Sequence, residues 1–138
     1  MSRWTCSRCD REFGRARQSH VCVPGSTVDD SFAGAAARWR PIYDRIAAHV
    51  RGLGPVHEDA VRVGVFLKVD RTFAEVRPKA RSLTVWLFLS RPLDDARVSR
   101  SFKIGAERYA HVVKLTEVAE VDDRLRGWLT EAYDGAAE

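Results

Sequence analysis

All three cysteines of the chain and one of its four histidines fall within "CSRCDREFGRARQSHVC", Cys6 to Cys22. Taken as ligands, Cys6, Cys9, His20 and Cys22 form the pattern C-x2-C-x10-H-x-C. Zinc takes four tetrahedral ligands of these types, with thiolates at about 2.3 Å and imidazole nitrogen at about 2.0–2.1 Å. A Cys-x2-Cys pair can close a tight knuckle round the ion, its backbone N–H groups directed at the sulfurs, and Phe13 is spaced to pack beside it. Three thiolates leave such a site net negative, which Arg8, Arg11, Arg15 and Arg17 would offset.

Other chemistries fit less well. An iron–sulfur cluster normally takes four cysteines. A thioredoxin-type redox pair sits beside a βαβ pattern, which is missing around Cys6. The expected cofactor is therefore zinc, and a site filled by four protein ligands is structural, with no open position for substrate. Metal binding would supply roughly 10 kcal/mol or more of folding energy to a segment too short for a core. Gly14 to Ser19 leaves room for one or two helical turns, about 10 Å long. That makes a poor recognition helix, and the spacing departs from that of a DNA-reading C2H2 finger.

The knuckle needs something to sit on. A chain of 138 residues, 45% of them hydrophobic, suffices for one globular domain with a small appendage. No run approaches the ~18 apolar residues of a membrane span, and Met1 to Cys6 lacks the apolar stretch of a secretory signal. No membrane association and a cytoplasmic location, where thiols stay reduced, are expected. Charge is uneven within a total of +4: residues 1–20 carry five Arg against Asp10 and Glu12, and residues 60–103 carry ten basic groups against four acidic ones. Residues 104–138 reverse the balance, with four basic and eight acidic groups. A basic front and middle suit an acidic partner, either nucleic acid or an acidic protein.

"VPGSTVDDS", Val23 to Ser31, has a linker's composition. The domain plan is a zinc knuckle at 1–24, a linker at 25–31 and an α+β domain at 32–138. Phe32, Ala36, Trp39, Tyr43, Ile46, Val50 and Leu53 form one helix stripe, in which Pro41 predicts a kink or a lead-in turn. Val61 to Val69 alternates as a strand, followed by strands at Thr72–Arg77, Leu83–Ser90 and Ala110–Leu115. Arg91 to Ser101 reads as loop. A C-terminal helix buries Val121, Leu125, Trp128, Leu129, Ala132 and Tyr133, with Asp122 and Asp123 in its first turn. The expected class is α+β, with three or four mainly antiparallel strands between two helices.

Trp4, "CSRC", Phe13, "QSHVC", the later "TFAEV" and the closing "WLTEAY" resemble the bacterial domain-of-unknown-function family 5655, in the form carrying an N-terminal zinc knuckle. The resemblance implies the α+β fold and maps the metal onto Cys6, Cys9, His20 and Cys22. It implies no catalytic residues.

A second site is sought on the sheet. Phe66, Lys68, Trp86 and Phe88 alternate with the Val/Leu positions, and Phe73 and His111 are expected nearby. Rings interleaved with cations on an open sheet can stack bases and hold phosphates; the alternative is that another element covers them. No phosphate loop, nucleophile elbow or positioned acid–base pair is found. The functional expectation is a non-catalytic, zinc-stabilised binding module with Arg15, Arg17, Phe66, Lys68, Trp86 and His111 on its surface. The alternative is a small-molecule binder or enzyme whose pocket Lys68, Trp86 and His111 would line. Oligomeric state is left open by the sequence.

Overall fold

A computed structural model describes residues 4–5, 12–13 and 27–137 of the chain. Near the N-terminus, β1 (Trp4–Thr5) pairs antiparallel with β2 (Glu12–Phe13), a two-residue ladder that brackets Cys6 and Cys9 in sequence. The residues expected to bind zinc, Cys6, Cys9, His20 and Cys22, together with Arg15 and Arg17, lie outside the described residues.

The α+β unit opens on a capping box. The Thr27 hydroxyl accepts from the Asp30 N–H at 3.2 Å, and the Asp30 carboxylate accepts from the Thr27 N–H at 2.9 Å. Satisfying these otherwise orphaned donors starts α1 (Val28–Phe32), so the expected linker is helical from Val28 onward. Gly34, at φ 82°, breaks the helix, and α2 (Trp39–Arg51) begins anew. Pro41 falls in the first turn of α2, where its missing N–H costs no hydrogen bond, so of the two expected outcomes the lead-in turn forms.

Six strands follow: β3 (His57–Val61), β4 (Gly64–Lys68), β5 (Thr72–Pro78), β6 (Leu83–Leu89), β7 (Val98–Gly105) and β8 (Arg108–Leu115). They form one antiparallel sheet in the order β3-β4-β5-β6-β8-β7, and α3 (Asp123–Ala136) closes the chain. The α+β class holds, but the sheet has six strands rather than three or four. Two corrections account for the difference. The supposed single strand Val61–Val69 turns at Arg62–Val63, pairing Val61 with Gly64 and adding the edge strand β3. The turn depends on Gly64, where a Cβ would lie 2.1 Å from the Val76 carbonyl oxygen. The supposed loop at 91–101 ends at Val98, where β7 adds the opposite edge along β8.

All three helices pack on one face of the sheet. Trp39, Ile42, Ile46 and Val50 from α2 meet Leu125, Leu129 and Ala132 from α3 over Val65, Val76, Val85, Leu87 and Val113. The Trp39 indole N–H also donates to the Lys79 carbonyl at 2.9 Å, tying α2 to the β5–β6 turn. Arg97 fastens the 90–97 connection to the start of α3, donating to the Asp122 carboxylate at 2.9 Å and the Glu120 carbonyl at 2.6 Å. Asp122 is the N-cap of α3, accepting from the Leu125 N–H at 3.0 Å.

Two stability outcomes follow from this packing. Leu87 is 0% exposed at the centre of the sheet, so Leu87→Ala should cost about 2–5 kcal/mol; an unchanged denaturation midpoint would place it on an exposed face. The second concerns Asp122, whose carboxyl the Leu125 N–H and then Arg97 hold below the usual range. A depressed folded-state pKa stabilises above the unfolded value, about 3.9, and that contribution is lost as pH falls through the lower folded value. Asp122→Ala should therefore cost about 1 kcal/mol at neutral pH, with the gap to wild type narrowing below about pH 4. A gap constant from neutral to strongly acidic pH would show that the carboxylate charge is not what caps the helix.

Candidate nucleic-acid interface

Side chains alternate across a strand, so β6 serves both faces of the sheet. Leu83, Val85, Leu87 and Leu89 enter the helical core, while Thr84, Trp86 and Phe88 point the other way. Register carries this second face across the sheet. Phe66 pairs with Glu75, Glu75 with Trp86, Trp86 with Val112, and Val112 with Arg100. One row towards the β5–β6 turn lie Arg77, Thr84 and Lys114; one row away lie Phe88, Ala110 and Phe102. Among the described residues no helix packs on this side. Phe66, Trp86, Phe88 and Phe102 are each half-buried and reach solvent.

The rings are layered with guanidinium groups. Trp86 and Phe102 lean together above Val112 and Ala110 on the intervening β8, their centroids 5.9 Å apart and their planes within 8° of parallel. Arg77 lies over the indole from the β5 side at 5.0 Å, and Arg100 lies over Phe102 at 5.0 Å. Farther along, Arg108 covers Phe88 at 5.1 Å. Such cation–π contacts hold flat cations at the height of the rings.

Beside Trp86 the face dips into a concavity of about 490 Å³, bordered by the β5–β6 turn and ringed by Arg77, Lys79, Arg81, Arg100 and Lys114. Buried Thr84 and Val112 lie between these cations in the sheet. Backbone closure of the turn, Lys79 N–H to Ser82 carbonyl at 2.9 Å, holds Lys79 and Arg81 at the rim. Of the five cations, Arg77 has an acidic partner, Glu75 at 2.6 Å; the other four have none among the described residues. The Arg77 Nε–H is buried without a hydrogen-bond partner among the described residues, a state that costs roughly 1–3 kcal/mol.

The surface expected from the sequence is therefore found in part. Phe66, Lys68 and Trp86 share the open face. Lys68, however, is ion-paired to buried Asp59 at 2.8 Å, which fixes it away from the concavity. His111 is a correction. It pairs with Leu87 on the helical side, is 0% exposed, and has both ring nitrogens engaged. The Arg91 carbonyl, 2.9 Å from Nε2, can only accept, so Nε2 donates to it, and Nδ1 shares a hydrogen bond with the Ser101 hydroxyl at 2.7 Å. Phe73 also turns inward, edge-on to Tyr133 at 5.4 Å, because a register shift at Leu67/Lys68 changes the parity along β5. Lys68, Trp86 and His111 thus line no common pocket. Missed from the sequence were Arg77, Lys79, Arg81, Arg100, Phe102 and Lys114; the parity of β6 pointed to their rows, but reading 91–101 as loop hid β7.

Elsewhere, Tyr43, Glu58 and Arg51 form a linked group between α2 and β3, with Arg51 donating to Glu58 at 2.7 Å. Burial, then the hydrogen bond to Glu58, pushes the Tyr43 hydroxyl well above its usual range. This keeps it a neutral donor, a structural tie rather than a proton-transfer pair. No helix among the described residues is long and apolar enough to cross a membrane.

A family model described as "Domain of unknown function (DUF5655)" matches residues 28–136, and the chain belongs to that family. No curated protein and no solved structure matches it. The family match begins after Cys22, so the family assignment rests on the α+β unit alone.

Proposed function

We propose that this DUF5655 member is a non-catalytic binding module, stabilised by zinc at its N-terminus, whose open sheet face holds single-stranded nucleic acid. The layered row of Arg77, Trp86, Phe102 and Arg100 carries the reading. Bases stack on aromatic rings and on guanidinium planes alike, each stacked base contributing about 1–3 kcal/mol. A base arriving at this face either continues the stack on a guanidinium or displaces it from the ring, and the freed arginine then meets a phosphate. Lys79, Arg81 and Lys114 supply further cations along the same side. Neither kind of contact reads base edges, so binding tolerates changes of sequence. A duplex hides its base planes and offers the face only phosphates. An acidic protein would use the cations without needing the indole plane, so Trp86 separates the two kinds of partner.

Zinc suits the donor set at the N-terminus: three thiolates and an imidazole complete a tetrahedral site through Cys6, Cys9, His20 and Cys22. The ion would supply the folding energy of that segment. Arg15 and Arg17 would then add to the cationic charge available to a strand.

Titration with an oligothymidylate should give binding whose log K falls with log salt by about 0.7 per phosphate contact. Trp86→Ala should weaken the single strand by about 1–3 kcal/mol and the matching duplex much less, while Arg15→Ala with Arg17→Ala should lower affinity evenly across unrelated sequences. Equal loss for single strand and duplex in Trp86→Ala would remove stacking from the account, and absence of binding at low salt would leave an acidic protein as the partner.

Metal analysis of protein purified without chelators should find stoichiometric zinc, lost or greatly weakened in Cys9→Ser. The helices and sheet have their own core, so chelation should leave the main unfolding transition in place. Metal-free wild-type protein would remove zinc from the reading, and loss of the whole fold on chelation would make the knuckle part of the core.

A further inference from the structure

The concavity beside Trp86 differs from the rest of the open face, and the difference bears on which part of a strand it takes. Along the sheet, the row of Arg77, Thr84 and Lys114 lies two residues from Trp86 on β6, a spacing of roughly 6.6 Å. That is comparable to the reach from a base to the phosphate on its own ribose. Beyond this row the sheet ends in the turn that carries Lys79 and Arg81. A strand laid along the aromatic row therefore finds rings on one side of the cation cluster and, among the described residues, no further ring on the other.

Charge points the same way. An internal phosphodiester carries a single negative charge, whereas a phosphate monoester carries roughly −1.5 to −2 at neutral pH and three acceptor oxygens. The concavity gathers five cations, and Glu75, the one carboxylate among the described residues paired with any of them, is held by Arg77. The buried, unpaired Nε–H of Arg77 is a second and independent sign. The guanidinium resting on the indole leaves that donor unmatched, and turning it towards an anion in the concavity would satisfy it.

We infer that this concavity is a terminal-phosphate site: it takes the phosphate monoester at the end of a single strand, with the end base on the Trp86 ring. The inference rests on the single-strand reading above and adds a preference for ends. Arg81 and Lys114, both exposed and without an acidic partner among the described residues, are the cations whose removal leaves the fold and the aromatic row intact.

Calorimetric titration of the full chain with one short oligothymidylate, prepared with a 5′-phosphate, a 3′-phosphate or neither, tests it. One of the two phosphorylated strands should bind about tenfold more tightly than the unphosphorylated one, as expected when charge-assisted hydrogen bonds are gained. Arg81→Ala with Lys114→Ala should erase that increment, so that the variant binds the phosphorylated and unphosphorylated strands equally. Inorganic phosphate should compete with the increment and not with the underlying binding. Equal affinity for all three strands, or an equal loss for all three in the double variant, would overturn the terminal site and leave the single-strand reading standing. Failure of every strand to bind the wild-type chain would overturn both.

Discussion

A sheet with helices on one side has to divide its side chains by parity, and in this fold β6 sets the division. Its inward Leu and Val positions anchor the core, and the same alternation forces Thr84, Trp86 and Phe88 outward. Because β6 is paired on both sides, to β5 and to β8, its parity propagates by register to strands that have little apolar pattern of their own. A slip of one residue would drive Trp86 into the helices and Leu87 into water, so the core holds the open face in place. The arrangement of cations round Trp86 is a by-product of this rule: Arg77, Arg100 and Lys114 face outward because their partners across the ladder do.

This dependence explains which parts of the fold were legible in sequence. Strongly apolar segments announce themselves, and the stripes of α2 and α3, the alternation of β6 and the positions of β5 and β8 were all readable. The edges were not. β3 is His-Glu-Asp-Ala-Val, and its carboxylates fit a strand because Glu58 meets Arg51 and Tyr43 and Asp59 meets Lys68. Those partners are distant in sequence, so no local signal gave the strand away. β7, largely exposed and interrupted by two register shifts, has too little burial to impose a pattern. The turn at Arg62–Val63 lacks the usual turn residues and leans instead on Gly64 and on the Ser31 hydroxyl, which donates to the Val61 carbonyl at 2.8 Å.

The candidate site inherits the same partition. Phe66 and Trp86 could be placed from β4 and β6 alone, since each alternates with core residues. His111 could not, because its assignment needs the pairing with Leu87 and the carbonyl acceptor at Arg91. Arg100 and Phe102 lie on the unread edge strand, so half of the layered row was invisible until β7 was placed. Arginine suits the role better than lysine would. Its flat guanidinium lies on a ring and still keeps donors free at its edge, which lets one side chain serve both a base plane and a phosphate.

The central claim is that the Trp86 side of the sheet, and not the helical side, meets a single strand. Amide and indole chemical-shift mapping during titration with an oligothymidylate tests it most directly. The account predicts shifts concentrated at the Trp86 indole N–H and in the outward rows of β5, β6, β8 and β7, with the Trp128 indole in the helical layer unmoved. Shifts centred on α2 and α3, with Trp86 silent, would contradict it.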